Sequence, residues 1–224
     1  MATLYLVRHG QASFTAEDYD RLSPLGRQQS VWLGEYFAER RIVFARAVCG
    51  TLERQRDTAR AILETMGSSL TAEEHPGWNE YSGEALYRAY AGEEWAKARA
   101  RGEVRAVYRS IKAALEAWSE DRLHGPLPET WRGFGERVGA ALQSACAGLP
   151  GDAVVLVASS GGAIGRAVAD LLQAPARAAI ELNLQFRNAG FCEIFFSRRG
   201  MRLVSLNCIP HLDRGDRREA ITYS

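Results

Sequence analysis

Apolar positions along this chain fall into two alternating rhythms. Short, nearly continuous apolar runs, Leu4-Tyr5-Leu6-Val7 and Ala153 to Ala158, read as buried strands. Between them lie longer stretches whose apolar residues recur at helical spacing. Thr3 to Val7 is the first strand. Pro24 to Arg41 reads as a helix, with Ser23 as N-cap and Pro24 at its first position. A β-rich stretch, Arg46 to Cys49, precedes a helical segment from Leu52 to Met66, and a weak strand follows near Ser69 to Glu74. From Glu84 to about Leu149, tryptophans, alanines and charges recur at helical spacing, with breaks at Gly102 and around His124 to Pro128. The turn Gly148 to Asp152 launches the strongest strand. Ser159-Ser160-Gly161-Gly162 then opens a helix to about Gln173. Phe191 to Ser197 and Met201 to Asn207, around Arg199-Gly200, read as a hairpin, and residues after Pro210 as a loose tail.

This alternation predicts an α/β fold: a three-layer sandwich with a mainly parallel central sheet, an antiparallel edge strand and an inserted helical cap segment. The 224 residues suit a single domain, 1–224, with the helical insertion at about 84–149 covering the pocket and setting specificity. Hydrophobic residues at 46% and charged ones at 25% match a globular enzyme, and a net charge of +1 argues against a nucleic-acid partner. No apolar run approaches the roughly 18 residues of a membrane span, so no membrane partner is expected. Cys49, Cys146, Cys192 and Cys208 form no C-x-x-C pair. Reduced thiols and a cytoplasmic location are the expectation. Oligomeric state is not legible.

The chemistry concentrates where the first strand ends, at Arg8-His9-Gly10-Gln11. A histidine there is held rigidly yet faces a pocket. Its neighbouring guanidinium suits phosphate or carboxylate oxygens, and Gly10 lets backbone N–H groups approach an anion.

Leu6-Val7-Arg8-His9-Gly10-Gln11-Ala12 resembles the signature of the histidine phosphatase superfamily, the phosphoglycerate mutase-like group. Further matches follow in the same order. Leu22-Ser23-Pro24-Leu25-Gly26-Arg27-Gln28-Gln29 is similar to the L-[ST]-x-x-G-x-x-Q stretch, and Leu52 to Ala59 to the L-x-R-x-x-x-T-A segment. Trp78-Asn79-Glu80-Tyr81 resembles the segment that brings the acid, and Val154 to Gly162 the late strand and glycine turn. The resemblance implies His9 as nucleophile and Glu80 as general acid, the two catalytic residues. It implies Arg8, Arg54, Gly10, Ser160 and Gly161 as phosphate-binding. A small phosphorylated substrate is implied, with no metal and no cofactor, since the arginines supply the positive charge.

One position departs from the pattern. The family places a second histidine after the late strand, where this chain has Ser160. Losing a charged donor weakens transition-state binding by roughly 1.5–3 kcal/mol, about one to two decades in rate. The expectation is therefore a phosphatase of reduced activity acting through a phosphohistidine. The alternatives are a catalytically weak member that binds a phospho-ligand or protein, or a phosphoglycerate-type mutase. Trp95, Trp118 and Trp131 would supply the binder's interaction surface, and His211 is a second histidine that would reach the site from the tail. Ser160 does not make a hydrolase elbow, because Ala158 stands where G-x-S-x-G needs glycine. Neither glycine cluster matches G-x-G-x-x-G.

Overall fold

The computed structural model describes residues 1–13, 20–92, 97, 101, 104–123 and 126–223. Among them, strands β1 (Ala2–Arg8), β2 (Arg46–Cys49), β3 (Glu73–Glu74), β4 (Val154–Ser159), β5 (Phe191–Ser197) and β6 (Gly200–Cys208) form one sheet. Their order is β3-β2-β4-β1-β5-β6. The first four run parallel, β5 lies antiparallel to β1, and β6 antiparallel to β5.

Side-chain alternation along the strands explains why both faces are covered. Leu4 and Leu6 of β1, with Val155 and Val157 of β4, enter one core. There they meet Phe134 and Val138 of α5 (Trp131–Cys146), Ile164 of α6 (Gly161–Leu171) and Ile180 of α7 (Ala176–Gln185). Val7 and Leu156 point the other way, onto Leu33 and Phe37 of α1 (Pro24–Glu39) and Ile62 and Leu63 of α2 (Glu53–Thr65). The result is the three-layer α/β arrangement that the alternation predicts.

Ser23 caps α1, its Oγ accepting the Gly26 N–H at 3.0 Å, with Pro24 in the first turn. The stretch between β3 and β4 carries α3 (Gly83–Ala91), α4 (Val104–Ser119) and α5. One interruption is Gly92, whose φ of +56° ends α3. The expected breaks at Gly102 and His124, and Trp95, lie outside the described residues.

Three expectations are corrected. The weak strand shortens to Glu73–Glu74. Trp118 is no interaction surface: it is buried, stacks against Tyr81 and Phe134, and donates its Nε1–H to the Glu129 carbonyl. The segment after Pro210 is not loose, because Leu212 and Ala220 are buried and the Asn188 N–H donates to the Thr222 carbonyl. Helix α7 adds to the elements expected from the sequence, and the helix-forming run Ala176 to Leu184 after Pro175 carries its signal.

Candidate active site

The carboxyl ends of three parallel neighbours, β2, β4 and β1, converge, and open α/β sheets bind ligands at such ends. Arg8 pairs in register with Ser159, and the His9 N–H donates to the Ser159 carbonyl at 2.9 Å. His9 and Ser160 therefore leave adjacent strands side by side.

The turn at His9 requires glycine. A Cβ on Gly10 would lie 2.1 Å from the Gly26 carbonyl oxygen, because the first turn of α1 presses directly on the signature backbone. The Gly10 N–H donates to Thr58 Oγ1, and the His9 carbonyl accepts from Asn188 Nδ2 at 3.2 Å. These contacts hold the loop from both sides.

His9 is buried, and its hydrogen bonds identify its tautomer. Arg54 Nε donates to His9 Nε2 at 3.2 Å, and a guanidinium only donates. Nε2 therefore carries a lone pair. The proton sits on Nδ1, which donates to the Gly10 carbonyl at 2.7 Å. Burial above all, then the charges of Arg54 and Arg8, hold the imidazole well below its usual pKa of 6.5. The ring is neutral at physiological pH, with its lone pair aimed toward a fixed cation.

Arg54 sits in the first turn of α2. Its Nη1 donates to Asp20 Oδ1 at 2.7 Å, while Asp20 Oδ2 accepts the Glu53 N–H at 2.8 Å. Neither nearby helical carboxylate pairs with it: Glu53 pairs with Arg21 and Asp57 with Arg60. Arg8 donates through Nη1 to the carbonyls of Phe186 and Tyr223. A Cβ on Gly161 would come within 3.6 Å of its guanidinium carbon. Two cations thus flank the β1 and β4 turns.

Glu80 arrives on a braced loop. Arg137 donates to the Gly77 and Asn79 carbonyls and is itself held by both oxygens of Glu129. Asn79 exchanges two 2.7 Å bonds with Thr51. Part of the Glu80 side chain reaches the surface, but the carboxyl group is enclosed. Oε2 accepts the Gly162 N–H at 2.8 Å, in the first turn of α6, and Oε1 the Tyr81 N–H at 3.2 Å. Burial raises its pKa above 4.5. The Gly162 bond, Arg54, the Tyr81 bond and Arg8 oppose that rise only in part.

The family model of the histidine phosphatase superfamily (branch 1) matches residues 4–209. The chain belongs to that superfamily. A probable phosphoglycerate mutase, GpmB, of Klebsiella pneumoniae is 27% identical over 230 residues, covering 95% of this chain and 96% of the relative. A phosphoserine phosphatase of Entamoeba histolytica, solved with phosphoserine, superposes with a TM-score of 0.66 at 18% identity, over 95% of this chain and 100% of that one. A mycobacterial glucosyl-3-phosphoglycerate phosphatase, solved with inorganic phosphate, gives 0.66 at 24% identity, over 94% and 99%. At these identities the two structures speak for the fold.

In this superfamily member the seven residues singled out in the sequence sit on the β1 and β4 turns, in the first turn of α2 and on the Glu80 loop, with Arg54 bonded to His9 and Glu80 to the Gly162 N–H that follows Gly161. His211 is elsewhere: its ring packs on Tyr36, its carbonyl accepts from Arg217, and among the described residues neither buried ring nitrogen has a partner. A groove of about 1440 Å³ lined by Arg198, Arg199 and Arg202 lies at the amino ends of β1 and β4, opposite the site, and holds none of the seven. Sequence reasoning missed Asp20, Gln55 and Asn188. Gln55 follows Arg54 directly and was open to notice. Nothing in the sequence marks Asp20 or Asn188. Among the described residues, no cluster of three or more His, Cys, Asp or Glu side chains could hold a metal ion. No described helix is long and apolar enough to cross a membrane.

Proposed function

We propose that this histidine phosphatase hydrolyses a small phosphomonoester through a phosphohistidine at His9. The observation that carries the reading is the Arg54–His9 contact, which leaves a neutral ring with its lone pair on Nε2. Nε2 attacks phosphorus in line, forming an N–P bond as the ester P–O bond breaks. Glu80, its pKa raised by burial, gives its proton to the leaving alkoxide. Arg54 and Arg8 neutralise the phosphoryl charge, with backbone N–H groups around Gly10 and Gly161 supporting its oxygens. Water then attacks phosphorus, Glu80 takes its proton, and orthophosphate leaves as His9 regains its lone pair.

Brief exposure to p-nitrophenyl phosphate followed by mass spectrometry is expected to find acid-labile phosphate on His9. His9→Ala should lose both label and turnover. Equal turnover in the two proteins would overturn the mechanism. Release of orthophosphate, rather than an isomerised phosphoglycerate, separates a phosphatase from a mutase.

A further inference from the structure

We propose that Gln55 is a positioning residue that turns the Ser160 hydroxyl into a directed hydrogen-bond donor for the transferring phosphoryl group. The inference rests on the phosphohistidine reading above.

Ser160 occupies the N-cap position of α6 with extended backbone angles, φ −119° and ψ 163°. A serine there ordinarily turns its oxygen onto an N–H of the first turn. This one makes no cap bond. Its Oγ instead accepts from Gln55 Nε2 at 2.8 Å. The amide orientation is fixed by its other contacts: Nε2 also donates to the Trp78 carbonyl at 3.0 Å, and Oε1 accepts from the Leu52 N–H at 3.4 Å. A carbonyl only accepts and a backbone N–H only donates, so the amide cannot be reversed. Gln55 itself has no solvent exposure.

The consequence concerns the one hydrogen that the hydroxyl owns. With Gln55 filling an acceptor position on Oγ, that hydrogen is left to donate, and among the described residues it has no acceptor within bonding distance. Ser160 is buried and lies beside His9 in the strand register, where the phosphoryl oxygens would be held. Donation from Gln55 also polarises the O–H bond, since linked hydrogen bonds strengthen one another. A buried donor without a partner is costly in the resting protein and becomes favourable when an anion arrives.

The test is a double-mutant cycle on p-nitrophenyl phosphate turnover, with Gln55→Met, Ser160→Ala and the pair, and orthovanadate affinity as a second readout. Each single change is expected to lower kcat by about tenfold, the worth of one hydrogen bond of about 1.4 kcal/mol. The double variant should be little worse than either single one, because Gln55 acts on the phosphoryl group through Ser160, while the Trp78 carbonyl keeps its bond from Ser159 Oγ. Gln55→Glu keeps the shape but offers a carboxylate oxygen that accepts the Ser160 O–H bond and so diverts it from the phosphoryl group. Its activity should fall at neutral pH and recover on acidification, as protonated Glu donates again. Should Gln55→Met fail to fold, this variant carries the test alone.

Additive losses, or a Gln55→Glu profile parallel to wild type, would overturn the inference while leaving a His9-labelled, active enzyme intact. A wild type that neither turns over the ester nor binds vanadate would overturn both readings.

Discussion

Asp20 bridges the site's buried arginine and the first turn of a helix: one carboxylate oxygen lies 2.7 Å from Arg54 Nη1, and the other accepts the Glu53 N–H. An incoming phosphoryl dianion must therefore approach Arg54 beside a negative charge. Asp20→Asn preserves an acceptor for the helix while removing that charge. Orthophosphate and vanadate are expected to bind about three- to tenfold more tightly to the variant, measured by inhibition of ester turnover. Unchanged or weaker binding would show that Asp20 serves only to orient Arg54.

Glu80 should set the alkaline side of the pH profile. Its pKa is raised, so the protonated form persists above pH 4.5 and is lost as pH climbs through the shifted value. Activity on esters with poor leaving groups should fall with that titration. Glu80→Gln is expected to slow phosphohistidine formation from such substrates by about 10²- to 10⁴-fold, and far less from p-nitrophenyl phosphate, whose leaving group needs no proton. A uniform loss across leaving groups would remove Glu80 from the acid role.

Gly10 tolerates no side chain. Alanine there would place a methyl 2.1 Å from the Gly26 carbonyl oxygen, so either α1 or the His9 turn must shift. Denaturant unfolding should show Gly10→Ala destabilised by about 2–4 kcal/mol, in the range of severe overpacking.

His211 makes the fold sensitive to acid. Burial first, then Arg217, holds its pKa down at about 3, against 6.5 for an ordinary histidine. Protons therefore bind the unfolded chain first, and stability is lost as pH falls from about 6.5 toward 3. The loss reaches roughly 3–5 kcal/mol over that window, and His9, also held low, adds in the same direction. His211→Leu should flatten the dependence of melting temperature on pH between 6 and 4. An unchanged slope would place the acid sensitivity in other groups.

Elements with strong local signals were legible in the sequence. Leu4 to Val7 and Val155 to Val157 have few polar positions because helices cover both faces, and Ser23-Pro24 marks a helix start by capping chemistry alone. The site's charged residues were readable because Arg8, His9, Arg54 and Glu80 sit at strand or helix ends in recognisable strings. The partners of those residues were not. Asp20 meets Arg54, and Gln55 meets Ser160, across 34 and 105 positions of chain. No local periodicity encodes such pairings, which arise only once the sheet order brings β2, β4 and β1 together. Nor does the polar composition after Pro210 reveal that this stretch is anchored, since its ties run through backbone carbonyls and the Thr222 hydroxyl.

Those ties bear on how the protein would be handled as well as on how it folds. The Tyr223 carbonyl holds Arg8, the Ala220 carbonyl holds Gln29, and Thr222 bonds to Asn188, the same residue that grips the His9 carbonyl. Residues 220–223 thus act as a brace behind the reactive turn. A protease nick in that stretch, or a fusion that drags it outward, would detune the nucleophile without touching a single side chain that reacts.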